Sequence, residues 1–151
     1  MNEMILRFAD KLVILAFPCN QFGHQNNFTT EVEMLNIMKY VRPGNDFEPN
    51  FKIFELVDVN GSKCNAVFKF LRESIPLPND DPMSMTDAQN ITWNPVTRSD
   101  IAWNFEKFLI DPDGRPQKRF SSKFQTSALI EDIRQLAQKV EPSKICRNKM
   151  Y

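Results

Sequence analysis

A short apolar run near the start of the chain constrains the fold more than any other feature. Residues 12–17 read LVILAF, and Pro18, which cannot donate a hydrogen bond to a β-ladder, follows at once. A continuous apolar run of this length is typical of a strand in a parallel sheet that is buried on both faces. We therefore predict a central strand over residues 12–17 that ends in a turn at Pro18.

The rest of the chain alternates between helical and extended patterns. Thr30 and Glu33 have the spacing of a capping box, which predicts a helix that ends at the Arg42–Asn45 turn signal. The next segments predict a strand at 51–59, a helix at 66–73 with Val67, Phe70 and Leu71 on one face, and a long proline-rich loop at 75–100. A strand at 101–110, a turn at 111–114 and a returning strand at 115–120 form a predicted hairpin. The last element is a predicted helix that Ser127 caps, with a core-facing stripe of Leu129, Ile133, Leu136 and Val140. This order favours an α/β sandwich of helices on a mixed sheet.

Composition excludes several classes of function. Nineteen basic residues balance nineteen acidic ones, so no global field favours nucleic acid or a membrane surface. No apolar run approaches the ~18 residues needed to span a bilayer. The three cysteines form neither C-x-x-C nor zinc spacing, which fits a reducing, cytoplasmic location, and the single His24 is interpreted as a polar loop residue.

Three side chains are candidates for chemistry because the predicted strands bring them to one edge of the sheet. Gln21 follows the first strand, while Trp103 and Asn104 begin a later one. If the two strands are antiparallel, an amide, an indole N–H and a second amide converge there. Neutral donors of this kind lower the pKa of an anionic chalcogen nucleophile and orient a peroxide. Each residue alone fits a structural role as well: Gln21 bonded to backbone, Trp103 in the core, Asn104 in a turn.

Two blocks of sequence resemble the signature motifs of the glutathione peroxidase family. They are Phe17-Pro18-Cys19-Asn20-Gln21-Phe22-Gly23 and Trp103-Asn104-Phe105-Glu106-Lys107-Phe108-Leu109. Shorter matches are KYVRPG at 39–44, EPNF at 48–51, DVNG at 58–61 and DPDG at 111–114. Residues 76–100 resemble the insertion of the tetrameric members. The resemblance implies a thioredoxin-like domain over 1–140 that lacks its N-terminal strands, followed by a flexible tail at 141–151.

The resemblance also implies an activity and its residues. It implies reduction of hydrogen peroxide and organic hydroperoxides by glutathione, with Gln21, Trp103 and Asn104 as catalytic residues and no metal or other cofactor. The selenocysteine or cysteine nucleophile is expected upstream of Met1, because the cysteine equivalent to Cys19 is not the peroxidatic one. A homotetramer formed through residues 76–100 is expected. The basic residues expected to bind the carboxylates of glutathione are Arg42, Lys118, Arg119 and Lys123.

Two other hypotheses stay open at this point. The chain could be a non-catalytic relative that binds glutathione or forms oligomers, since it contains no residue matching the family's nucleophile. It could also be a thioredoxin-like disulfide exchanger, which the absence of C-x-x-C disfavours. Activity of the intact gene product separates the first hypothesis from a working peroxidase.

Overall fold

The computed structural model describes residues 1–25, 28 and 30–139. Within these residues the helices are α1 (Asn2–Phe8), α2 (Glu31–Tyr40), α3 (Ala66–Ser74) and α4 (Ile130–Ala137). The strands are β1 (Leu15–Ala16), β2 (Lys52–Ile53), β3 (Lys107–Ile110) and β4 (Pro116–Phe120). The α/β class predicted from the sequence is confirmed, although the strands of the described part form two small sheets rather than one continuous sheet. No described helix is long and apolar enough to cross a membrane.

The first sheet is a parallel pair in which Leu15 lies opposite Lys52. Flanking backbone bonds continue the pairing, because Phe54 N donates to Ala16 O at 2.8 Å and Val57 N donates to Pro18 O at 3.0 Å. The predicted strand at 12–17 is thus located correctly but is shorter. The prediction that both faces of this strand are buried is wrong, since Val13 is 74% exposed and Leu15 is 52% exposed. No described element covers the face that these two side chains share.

The second sheet is the predicted antiparallel hairpin. Gly114 N donates to Asp111 O at 3.0 Å, and the Asp111 side chain accepts from Asp113 N and Arg115 N at 2.9 Å each. This side-chain closure is what Asp at the first position of a turn provides. The strand predicted at 101–110 begins only at Lys107, and the backbone N–H groups of Ile101 and Ala102 donate to side chains instead of a neighbouring strand.

Two of the three helices predicted from the sequence begin where they were predicted to begin. The Thr30 hydroxyl accepts from Glu33 N at 3.2 Å and caps α2, and Asn65 caps α3 through Val67 N at 2.9 Å. Ser127 does not cap the last helix. It lies inside a 3₁₀ turn, Thr126–Leu129, and α4 begins after that turn with no side-chain cap.

The buried face of α3 differs from the prediction. Leu71 is buried as expected, but Val67 and Phe70 are 42% and 50% exposed. Arg72 is buried in their place, because its guanidinium turns inward to an ion pair with Asp100. A hydrophobicity pattern alone does not reveal a buried arginine of this kind.

Two apolar clusters form the core. One contains Cys19, Phe22, Val59, Trp93 and Ile101. The other joins α1 to α4 and the hairpin, and its buried members are Met4, Phe120, Leu129 and Ile133. The predicted α4 stripe is therefore partly confirmed, with Leu136 half-buried; Val140 and the predicted tail at 141–151 lie outside the described residues.

The long loop at 75–100 has no strand and only one short 3₁₀ turn, Ala88–Asn90, as predicted. It is nevertheless fixed by buried polar contacts. The Asp100 carboxylate accepts from the Trp93 indole at 2.7 Å and from Thr97 N at 2.9 Å, and it pairs with Arg72. These bonds fold the end of the loop against α3, directly before the segment that carries Trp103.

Candidate functional site

The Gln21 side chain points into the protein, where it is 8% exposed. Its carbonyl oxygen accepts from Val59 N and Asn60 N at 3.0 Å each, and its amide nitrogen donates to Asn60 O at 3.1 Å. These three bonds tie the loop after β1 to the turn at 58–61. The structure thus supports the structural alternative for Gln21, since its amide closes a backbone turn instead of facing Trp103 and Asn104.

Asn60 continues this connection towards the predicted site. Its side-chain amide donates to Ile101 O at 2.9 Å, and its side-chain oxygen accepts from Ile101 N at 2.8 Å. With 1% exposure it is among the most buried polar residues of the described chain. These two hydrogen bonds to the backbone of Ile101 fix the start of the segment that leads to Trp103. In the sequence Asn60 is visible only as part of the DVNG motif at 58–61, which gives no sign of this contact.

Trp103 and Asn104 meet a different glutamine, Gln25. The Asn104 amide nitrogen donates to the Gln25 side-chain oxygen at 3.4 Å. A Cβ placed on Gly23 would lie 3.6 Å from the Gln25 amide nitrogen and 3.7 Å from Cη2 of Trp103. The Gln25 and Asn104 amides are therefore in contact, and the six-membered ring of the Trp103 indole lies on the other side of Gly23. The predicted cluster had Gln21 in the place that Gln25 takes here.

The backbone explains why Gln25 reaches this position. Gly23 and His24 both adopt left-handed conformations, with φ of +67° and +52°. Consecutive left-handed residues reverse the chain after buried Phe22, so that Gln25 turns outward towards Asn104. The signal in the sequence was the glycine at position 23, which marks such a reversal. His24 is exposed, as its interpretation as a loop residue requires.

Aromatic rings support the indole from below. Trp103 packs on Phe22 with ring centroids 5.7 Å apart, and Phe22 packs edge-on against Trp93 at 5.8 Å. Because Trp93 is bonded to Asp100, the loop at 75–100 holds the residues beneath Trp103 in place. Packed aromatic pairs of this geometry contribute about 0.5–1.5 kcal/mol beyond their buried area.

Neither described thiol is prepared for nucleophilic attack. Cys19 is buried, and burial raises the pKa of its thiol. Burial also raises the pKa of Cys64, although the nearby Arg72 guanidinium partly opposes the shift. A thiol reacts as the thiolate, so both environments work against reactivity. Cys64 lies just before α3 rather than within it, and Cys146 lies outside the described residues.

The four predicted glutathione ligands occupy very different environments. Arg42 is exposed just after α2, and the Lys123 side chain is 79% exposed with an ion pair to Asp81 at 3.0 Å. Lys118 is half-exposed and pairs with Asp132 of α4. Arg119 is 0% exposed and pairs with Glu106 at 2.7 Å. The prediction for Arg119 is therefore corrected, because a fully buried guanidinium has no surface to offer a ligand.

Asp80 anchors the basic segment after β4. Its carboxylate accepts from Ser121 N at 2.7 Å and from the Ser121 hydroxyl at 2.6 Å. Burial acts to raise the pKa of Asp80, but the hydrogen bonds from Ser121 outweigh it and hold that pKa below its usual value. No three His, Cys, Asp or Glu side chains in the described part of the chain are grouped as metal ligands.

The lowered pKa of Asp80 predicts a pH-dependent contribution to stability. A carboxyl group whose pKa is lower in the folded state stabilises the fold at neutral pH and loses that effect as pH falls through the folded pKa. We expect Asp80→Asn to lower Tm at pH 7 and to have a smaller effect below about pH 4. Thermal melts of both proteins between pH 7 and pH 3 measure this, and a Tm difference that is constant over the range would contradict it.

Comparison with known proteins identifies the class of protein that this fold and site define. The sequence profile of the family described as glutathione peroxidase matches residues 1–72. The chain is 55% identical over 138 residues to glutathione peroxidase 1 of Pan troglodytes, which covers 90% of this chain and 68% of that protein. It is 53% identical over 145 residues to glutathione peroxidase 1 of Rattus norvegicus, covering 95% and 71%. The chain therefore belongs to the glutathione peroxidase family, a family of oxidoreductases of the peroxidase class.

Solved structures agree at the level of the fold. The crystal structure of T. cruzi GPX1 superposes with a TM-score of 0.56 at 23% identity, covering 91% of this chain and 68% of that one. The apo structure of Trgpx gives 0.57 at 20% identity, with 91% and 67% covered. The thioredoxin-like fold inferred from the sequence is thus confirmed.

Proposed function

We propose that this protein reduces hydrogen peroxide and organic hydroperoxides with glutathione, and that Gln25, Trp103 and Asn104 are the donor groups of its peroxidatic centre. The observation that carries the proposal is the contact between Asn104 and Gln25 beside the Trp103 indole. Membership of the glutathione peroxidase family supports the reaction class. In this proposal Gln21 holds the loop after β1 in place. Gln25 takes the catalytic role that the family resemblance implied for Gln21.

The donor set suits the chemistry of a chalcogen anion. The anion attacks the terminal oxygen of ROOH, the O–O bond breaks, and ROH leaves after taking a proton, so the nucleophile becomes a sulfenic or selenenic acid. One glutathione thiol then displaces water, and a second releases glutathione disulfide. Two amides and an indole stabilise the anion by neutral hydrogen bonds and orient the peroxide. In this proposal neither Cys19 nor Cys64 is the nucleophile, and the pKa of both thiols, raised by burial, agrees with this.

Exposed cations support glutathione as the reductant. Glutathione carries two carboxylates, which charged donors bind well. Arg42, Lys118 and Lys123 keep part or most of their side chains at the surface, whereas Arg119 does not. We further propose a homotetramer that contacts through residues 76–100, and a cytoplasmic location, which the free thiol of Cys64 supports.

Substituting the two glutamines separately tests the assignment. Gln25→Ala is expected to lower kcat/KM for hydrogen peroxide by on the order of 10²-fold, the effect of removing one preorganised donor, with Tm unchanged. Gln21→Ala is the matched control, since it removes the same amide from a buried position. We expect it to lower Tm, because Val59 N and Asn60 N lose their acceptor.

The assay is glutathione-dependent peroxide consumption by the protein expressed from its full transcript, with Tm measured in parallel. Full activity in Gln25→Ala would contradict the role given to Gln25. The raised pKa of both described thiols favours one other function, a non-catalytic glutathione-binding relative. If calorimetry detects glutathione binding but the protein consumes no peroxide, this result would support that alternative and contradict the proposed peroxidase activity.

A further inference from the structure

Phe105 is an exposed aromatic side chain immediately after the Trp103–Asn104 pair. It is 71% exposed, while the neighbouring Ile101 and Ala102 are 4% and 5% exposed. Exposure of a single apolar residue is ordinary on a protein surface. In this case two further observations accompany it: an unfavourable backbone conformation and contact of the preceding residue with Gln25.

The backbone of Phe105 is left-handed, with φ of +65°. This conformation is unfavourable for a residue with a Cβ, and strained residues of this kind cluster at functional sites. The neighbouring residue imposes it. Glu106 accepts from Ala102 N at 2.6 Å and pairs with buried Arg119, so the chain from 102 to 106 must close into a tight turn. The turn directs the Phe105 ring to solvent.

The position of the ring relative to the donors gives it a use. Asn104, the adjacent residue, bonds to Gln25 at 3.4 Å, and Trp103 lies beside them. These polar groups suit the O–O group of a hydroperoxide but offer nothing to an organic substituent. An exposed aromatic ring one residue away supplies an apolar surface for that substituent.

We propose that Phe105 is a specificity-determining residue that contacts the organic part of alkyl and aryl hydroperoxides and so favours them over hydrogen peroxide. The inference rests on the proposed function, since it assigns a substrate class to that site. Hydrogen peroxide has no apolar substituent and gains nothing from the ring. An apolar contact of this size discriminates between substrates by roughly 10-fold.

The test is the ratio of kcat/KM for cumene hydroperoxide to that for hydrogen peroxide, compared among wild type, Phe105→Asn and Phe105→Tyr. Asparagine tolerates the left-handed conformation better than most residues, so the first variant removes the ring and keeps the turn. Tyrosine keeps the ring and is the matched control. We expect the ratio to fall roughly 10-fold in Phe105→Asn, to persist in Phe105→Tyr, and kcat/KM for hydrogen peroxide to stay within about twofold.

The other outcomes are distinct. An unchanged ratio in an active Phe105→Asn protein would overturn the inference and leave the proposed function standing. An equal loss with both peroxides, or a change only in KM for glutathione, would also overturn it, because the ring would then support the site or the reductant. If the wild-type protein reduces neither peroxide, the result would contradict the proposed function and, with it, the specificity role of Phe105.

Discussion

Arg119→Met is expected to lower the free energy of unfolding by about 3–5 kcal/mol, the cost of leaving one member of a buried ion pair without its partner. The side chains of Arg119 and Glu106 are 1% and 2% exposed, and they are joined at 2.7 Å. The guanidinium also donates to four backbone carbonyl groups, those of Ile75, Pro76, Ser99 and Asp100. Methionine has nearly the length of arginine but no donor. It therefore leaves the Glu106 carboxylate without its counter-charge and removes one donor from each of the four carbonyl groups.

Arg115→Met is the matched control for this prediction. Arg115 lies just before the same strand and is exposed, so the same change of charge and shape should shift the free energy of unfolding by less than about 0.5 kcal/mol. Urea denaturation of the two variants and the wild type measures both values. Similar losses in the two variants would show that net charge, rather than the buried pair, is responsible.

Gly61→Ala is expected to destabilise the protein by about 2–5 kcal/mol, from two separate penalties. Gly61 has φ of +76°, which costs a residue with a Cβ roughly 1–2 kcal/mol. A Cβ there would also lie 2.9 Å from the Cβ of Trp93 and 3.2 Å from both N and O of Asn94. These are backbone or near-backbone atoms that cannot swing aside, and overpacking of this kind costs about 1–3 kcal/mol.

Gly114→Ala separates the two penalties. Gly114 has φ of +83°, but nothing lies within 4 Å of its Cβ position, so only the backbone penalty applies. The difference in the free energy of unfolding between the two variants then measures the clash with Trp93. Because Trp93 packs on Phe22 beneath Trp103, Gly61→Ala should also reduce activity more than Gly114→Ala does. Equal stabilities of the two variants would mean that the 58–61 turn can move away from Trp93.

Local chemistry made several elements predictable from the sequence. The Thr30–Glu33 spacing defines a helix start because a hydroxyl and a backbone N–H three residues apart can bond without help from the rest of the chain. The turn at 111–114 closes on the Asp111 side chain for the same reason. Trp103 and Asn104 could be named as candidates because their motif is contiguous, and their catalytic role stays a prediction.

Contacts between distant segments were not predictable in this way. Val13 and Leu15 have the sequence pattern of buried strand residues, and whether a partner covers their face is decided elsewhere in the fold. Arg119 and Lys123 carry the same charge four residues apart, yet one is fully buried and the other largely exposed. Burial of Arg119 depends on carbonyl groups at 75–76 and 99–100, which only the folded loop brings together.

The glutamine of the candidate site shows most clearly which features depend on local sequence and which depend on the fold. The family, the α/β class, the turn at 111–114, the Thr30 helix cap and the Trp103–Asn104 pair could be predicted from the sequence, because these depend on short-range spacing or contiguous motifs. Which glutamine contacts Asn104 depends on the folded backbone. Both amides stand near Phe22 in the sequence, but the left-handed backbone at Gly23 and His24 turns one outward to Asn104, while the turn at 58–61 binds the other inside.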